Sequence, residues 1–289
     1  MNKADAVFEA LTAQVIAQIE EGIAGEWTKP WIDLGEDLAR NAKTGKAYRG
    51  GNTLITWWKA FSEGWEGQWW ATYKQWGELG AQVRKGEKGT ALIFYKFVEK
   101  TDADGNLKTI PFANTFTVFH AAQVEGWEAP AAEERDTPDR IDAAEKFFAA
   151  IGADVHVGGD RACYSPTFDT ISIPRIEQFA NAAAYYSTLA HEHGHWTGHS
   201  TRLNRNLANR FGSEAYAAEE LVAELTATFL CATLGLSPVP RPDHAAYLKN
   251  WLKVLRDDPK ALWKAASLAQ KAHDYLTGET VEAEGVVAA

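Results

Sequence analysis

Cysteine is nearly absent from this sequence. Only Cys163 and Cys231 occur in 289 residues. No disulfide framework can hold such a fold, and a reducing cytoplasm is the simplest setting. Long apolar runs are missing as well. No stretch approaches the roughly 18 apolar residues of a transmembrane helix, so no membrane partner is expected. The opening residues, Met1-Asn2-Lys3-Ala4-Asp5-Ala6, begin an amphipathic helix and carry no signal-peptide core. There is no Walker-type glycine loop and no internal repeat. Net positive charge is lacking too. The chain sums to −10, which argues against a generic nucleic-acid binder. What remains is a chain long enough for one or two domains, with 46% hydrophobic residues to build their core.

The negative total hides a local asymmetry. From Arg40 to Lys100 there are eleven Lys or Arg against five Asp or Glu, a net +6 that leaves −16 for the remainder. Eight of the twelve Trp fall between Trp27 and Trp76. Trp57, Trp58, Trp65, Trp69, Trp70, Tyr73 and Trp76 are interleaved with Lys43, Lys46, Arg49, Lys74, Arg84, Lys85 and Lys88. Aromatic faces that stack on bases, beside cations that track phosphates, suit single-stranded nucleic acid. For any single Trp, burial in a core is the commoner fate.

The second half carries His191-Glu192-x-x-His195. Residues four apart share one face of a helix, so both imidazoles can ligate one Zn²⁺. A Glu directly after the first His can take a proton from water activated by that ion. His199 continues the spacing, but eight residues of helix rise about 12 Å, too far for His191 and His199 to share an ion. A metzincin would need His at position 201, which is Thr201. The better third ligand lies on the helix expected over 217–230, where Glu220 and Glu224 share a face with Ala223 and Ala227. Two His from one helix and a Glu from the next make the gluzincin arrangement. Glu220 is assigned as third ligand and Glu224 as the acceptor behind a ligating His. The spacing allows the two roles to be swapped. Zn²⁺ is expected, with Mn²⁺ or Co²⁺ as alternatives.

Periodicity and turn signals predict an α+β chain. Helices are expected over 5–23, 53–63, 73–79 and 141–151, and strands over 90–98 and 115–119 with a hairpin turn at Asp104-Gly105-Asn106. Residues 128–140 lose aromatics and gain Pro, Ala and acid, which reads as a linker. The expected division is 1–127, linker 128–140, a second domain 141–278, and a disordered tail 279–289. In the second domain a strand is expected at 154–157 and a hairpin over 162–174. Its second strand, Thr170 to Ile173, is the expected sheet edge beside the metal. Two helices are expected between Asp243 and Leu276.

Three stretches of the first half, Asn41-x-x-Thr44-Gly45-Lys46-x-Tyr48-Arg49-Gly50-x-Asn52, Trp70 to Trp76, and Gly80 to Gly89, resemble the N-terminal domain of the ArdC antirestriction proteins of conjugative plasmids. That domain is shared with plasmid TraC-type primases and binds single-stranded DNA. His191 to His199, Arg202-Leu203-Asn204-Arg205 and Glu219 to Leu225 resemble the family's zincin-like metallopeptidase domain. The resemblance covers nearly the whole chain. It implies a mixed α/β DNA-binding domain, with Lys43, Lys46, Tyr48, Arg49, Trp70, Tyr73, Lys74, Trp76, Arg84, Lys85 and Lys88 as contact residues. It implies a gluzincin-type domain with His191, His195 and Glu220 on the metal and Glu192 as the base. The protein would guard incoming single-stranded plasmid DNA against host restriction. Two other roles compete with that one. The chain could be a metalloprotease recruited to DNA, cutting restriction-system or other DNA-bound proteins, or a DNA binder whose zincin fold is silent.

Overall fold

The computed structural model describes residues 3–23, 38–101, 107–130, 137–205, 207, 214–236 and 248–279. The first half begins with helix α1 (Lys3–Ile23). Phe8, Leu11, Val15 and Ile19 recur at helical spacing and are all buried. Strand β1 (Arg40–Asn41), helix α2 (Gly51–Glu63), strand β2 (Trp69–Ala71), helix α3 (Tyr73–Glu78) and strand β3 (Gln82–Val83) follow. A capping box starts α3: Gln75 N–H donates to Thr72 Oγ1 at 3.2 Å, and Thr72 N–H donates to Gln75 Oε1 at 3.0 Å. The long strands β4 (Thr90–Thr101) and β5 (Leu107–His120) pair antiparallel along their length, and β6 (Val124–Glu125) closes the segment. Both strands run beyond the expected bounds. The expected turn at 104–106 lies outside the described residues.

These strands form a four-stranded sheet in the order β1-β2-β5-β4 and a ribbon of β3 with β6. The second half contains α4 (Thr137–Ile151), β7 (Asp154–Val157), β8 (Cys163–Ser165), β9 (Thr170–Ile173), α5 (Ala182–Trp196), α6 (Glu214–Leu234), α7 (Leu248–Asp257) and α8 (Ala261–Thr277). The last residues of the expected linker form the first turn of α4, with Pro138 where a missing N–H is harmless. Residues 131–136 and the tail from 280 lie outside the described residues.

One expectation is overturned. The strand Thr170–Ile173 is not an edge: the sheet order is β7-β9-β8. β9 pairs parallel with β7 and antiparallel with β8, and its Ile171 and Ile173 are fully buried. A strand with two apolar anchors gains more in the middle of a sheet. The edges are β7 and β8.

Helix α6 is the axis of the second half. From Glu220 to Ala232 every residue is buried, as expected of a helix apolar nearly all round. It packs against α4, α5, α7 and α8. Further contacts cross the line between the halves. Trp57 of α2 meets Phe229 of α6 with ring centroids 5.9 Å apart. A side chain at Gly51 would run into the ring of Trp263 on α8. One buried cluster joins Leu11, Leu54, Trp57, Leu92, Leu221, Phe229, Trp251 and Ala266. No described helix is long and apolar enough to cross a membrane.

Candidate metal centre and nucleic-acid interface

Asn181 caps α5, its side chain accepting from the Ala184 N–H. The helix then carries His191 and His195 on the face toward α6. Their Nε2 atoms are 3.1 Å apart. Glu220 Oε2 lies 3.6 Å from His191 Nε2, and its Oε1 lies 3.4 Å from His195 Nε2. Two ligands at tetrahedral angles on bonds of 2.0–2.1 Å stand about 3.3 Å apart. The three donors thus have the spacing of three corners around one divalent ion. They form one of two groups of potential ligands among the described residues.

Behind the donors stands a second ring of groups. His191 Nδ1 is 2.9 Å from Glu224 Oε1. His195 Nδ1 is 3.4 Å from Glu219 Oε1. Carboxylates at Nδ1 hold each imidazole with Nε2 turned toward Glu220. Glu219 has no assigned role in the sequence reading, although a Glu-Glu pair on one helix puts acids on adjacent faces and could have suggested it. Arg205 holds it, donating to both carboxylate oxygens at 3.0 and 2.8 Å, to the Gly194 carbonyl at 2.6 Å and to Thr197 Oγ1 at 2.9 Å. Arg202 lies 3.8 Å over the Trp196 ring and pairs with Asp169 in the β8–β9 turn. The basic loop after α5 is therefore a clamp.

The electrostatics follow from burial. Burial alone would lower His195, but Glu219 and Glu220 overcome it and push the imidazole up to about 10. Burial would raise Glu220, yet His191 and His195 hold it far below the usual carboxylate range. His193, fully buried, points elsewhere: its Nδ1 meets the Leu189 carbonyl at 2.8 Å, and burial lowers it to about 4. Glu192 is 2% exposed. His199 falls beyond the end of α5 and bonds Thr201.

Gly194 sets the distance between the ligand helices. A Cβ there would lie 3.0 Å from Ala223 Cα and 3.2 Å from its carbonyl oxygen. Both neighbours are backbone atoms, so relief requires α6 to shift, carrying Glu220 and Glu224 with it. Gly194→Ala should cost about 1–3 kcal/mol of stability and weaken metal binding by roughly tenfold or more. Chemical denaturation and chelator competition measure the two effects. Metal binding as tight as wild type would show that this close approach does not set the site.

The second ligand group, His273, Asp274 and Glu279, is already occupied by a side chain. Arg49 forms ion pairs with Asp274 and with Glu279, and Gly50 N–H donates to Gln270 Oε1 at 2.8 Å. Arg49, expected on DNA, fastens its loop to α8 while its side chain stays 41% exposed.

The expected DNA-contact residues separate into two sets. Trp70 and Trp76 are 0% exposed, packed under β2 and α3, with Trp76 Nε1 donating to the Phe119 carbonyl at 3.0 Å. Neither face can meet a base without unfolding, so both are corrected to core. Tyr48 is half-buried, its hydroxyl 3.2 Å from Asn41 Nδ2, and burial pushes it up to about 12. Lys43 pairs with Glu78, and Arg84 with Glu87. Tyr73 is 58% exposed; Lys85 lines the same surface as Tyr73, Lys74 stands 3.9 Å from Glu78, and Lys46 and Lys88 are exposed.

Comparison with known proteins agrees with this architecture. Residues 5–119 match the N-terminal domain of anti-restriction factor ArdC. Residues 142–268 match the zincin-like metallopeptidases, a fold built around a divalent metal. The uncharacterized protein y4eC of Sinorhizobium fredii (strain NBRC 101917 / NGR234) is 41% identical over 96% of this chain and 94% of its own length. A DNA primase TraC of Escherichia coli is 39% identical over 93% of this chain, a match that spans only 20% of the primase. The crystal structure of the antirestriction ArdC protein from plasmid R388, metal-free, superposes with a TM-score of 0.78 at 40% identity, covering 93% of this chain and 96% of that one. Its Mn(II)-bound form gives 0.76 at 39% identity, covering 95% and 98%.

Proposed function

The chain belongs to the ArdC antirestriction family, and from that premise we propose that it binds single-stranded DNA and protects incoming DNA from restriction, with a metallopeptidase centre in its second half. The observation that carries the second part is the convergence of His191 Nε2, His195 Nε2 and Glu220 at 3.1–3.6 Å. These three would hold the ion, and Glu224 and Glu219 would orient the two imidazoles. Zn²⁺ fits a His-His-Glu set, and Mn²⁺ and Co²⁺ fit it as well. A divalent ion there would polarise a peptide carbonyl and make water more acidic. Glu192, next to the first ligand and buried, would take the proton from that water and pass it to the departing amine. An extended peptide would add to β8, the edge strand packed against α5.

Tyr73 with Arg84 and Lys85 on the same surface supports the DNA half of the reading, since an exposed aromatic beside cations suits unpaired bases. The test is plating of cells that receive unmodified phage or conjugated DNA, with wild type compared with Glu192→Ala. Protection by the variant equal to wild type would remove peptide cleavage from antirestriction. Loss of protection with DNA binding intact would favour the second reading, a protease recruited to DNA that cuts DNA-bound proteins. The intact set of ligands and base favours that second reading over a silent zincin fold.

A further inference from the structure

A cavity of about 620 Å³ opens beside Tyr73, lined also by Gln82, Arg84, Lys85, Phe119 and Glu125. This is within the range of sites for small organic ligands, roughly 300–1,000 Å³. We propose that it holds one flipped-out base of the bound strand and selects bases bearing an amino group over thymine. The proposal rests on the single-stranded DNA reading above and makes it specific.

Tyr73 is exposed yet held. Its ring meets Phe119 edge-on with centroids 6.2 Å apart, and Gln82 Nε2 donates to its hydroxyl at 2.9 Å. A preset aromatic face loses little entropy when a base stacks on it. Gln82 also donates to the Val83 carbonyl at 3.1 Å, so its amide hydrogens are engaged and Oε1 is left to accept. Glu125 stands directly opposite Gln82 in the β3–β6 ribbon, so both side chains share one side of it. The other carboxylate at the cavity, Glu87, is bonded by Arg84 and by Gln123 Nε2.

An exposed carboxylate in a phosphate-binding surface repels the backbone, whereas against a base edge it becomes an acceptor. Gln82 Oε1 and Glu125 together present acceptors only. Cytosine and adenine meet them with an exocyclic amine, and guanine with its amine and ring N–H. Thymine offers one ring N–H between two carbonyl oxygens, which would face the carboxylate. Lys85, at the rim, makes no ion pair with any described residue and is placed to take the adjoining phosphate.

The full-length protein should be titrated, by fluorescence anisotropy at pH 8 and fixed salt, with labelled deoxycytidine and thymidine oligomers of equal length. The cytidine strand should bind about tenfold more tightly, the low end of discrimination by a paired edge contact. Glu125→Gln, which can donate to a thymine carbonyl, should bring the two affinities together. Tyr73→Ala should weaken both strands by roughly fivefold or more. Equal affinities in the wild type, or a preference that survives Glu125→Gln, would overturn the pocket while leaving single-strand binding intact. Failure of either strand to bind would overturn the underlying reading as well.

Discussion

His191→Ala should empty the metal centre. Purified wild type, metal-loaded, should contain about one equivalent of divalent ion, and the variant close to none, because two donors of a three-donor set rarely hold an ion against buffer. His199→Ala should retain the full equivalent, since that side chain lies past the end of α5 and bonds Thr201. Glu224→Ala and Glu219→Ala should each weaken binding by about 10–100-fold, the usual effect of removing the partner of a ligating imidazole. Glu192→Gln should keep the ion yet abolish any peptide cleavage the wild type shows. The pH dependence has a definite sign. With Glu219 and Glu220 holding the metal-free His195 at about 10, that imidazole is protonated at neutral pH. Metal entry must expel the proton, so affinity rises as pH rises toward 10. Calorimetric titrations in two buffers of different ionisation enthalpy read the proton released. Equal metal loss from His191→Ala and His199→Ala would sink the ligand assignment, and no proton release would sink the electrostatic one.

Removing Lys85 and Lys88 together should flatten the salt dependence of single-strand binding. Each phosphate contact on a single strand contributes about 0.7 to the log–log slope, so the double alanine variant should lose roughly 1.4. The loss should be the same for every base composition, because phosphates carry no sequence. Binding to duplex should be weaker than to single strands, whose unpaired faces are open to Tyr73. Arg49→Ala should leave the slope unchanged, since its guanidinium is held by Asp274 and Glu279. Lys253→Ala, on α7, is the matching control. Anisotropy over a salt series decides the matter. A slope that drops for Arg49→Ala and not for the lysine pair would place the strand along the seam between the halves.

How much of this was legible beforehand depended on how local each feature is. Helical spacing within α5 pairs His191 with His195, and spacing within α6 pairs Glu220 with Glu224, so the four groups that converge here could be singled out from sequence. The Glu219–His195–Arg205 chain was not, because it requires the path of the loop after α5, which spacing does not encode. Trp70 and Trp76 were read as stacking platforms because composition cannot say which face of a three-residue strand or a short helix turns inward. The ion pairs of Arg49 were not legible because its partners lie more than two hundred residues away. The central place of β9 depends on β7 arriving parallel from the far side, a choice made by the tertiary fold. The strands, the capped helices and the two-part order were all carried by patterns a few residues long.

The packing of Trp57 on Phe229 and of α2 on α8 has a bearing on reach. Two modules joined by a tether search a volume, and the chance that they act on one target is a local concentration set by tether length. Here the stretch 131–136 is not what holds the halves together, because their apolar side chains interlock. Tyr73 and the histidine pair are therefore the two ends of a ruler. If a strand is gripped at one end, a protein held on that strand must span a fixed gap to present a peptide at the other. Lengthening the stretch with glycine and serine would leave that distance as it is.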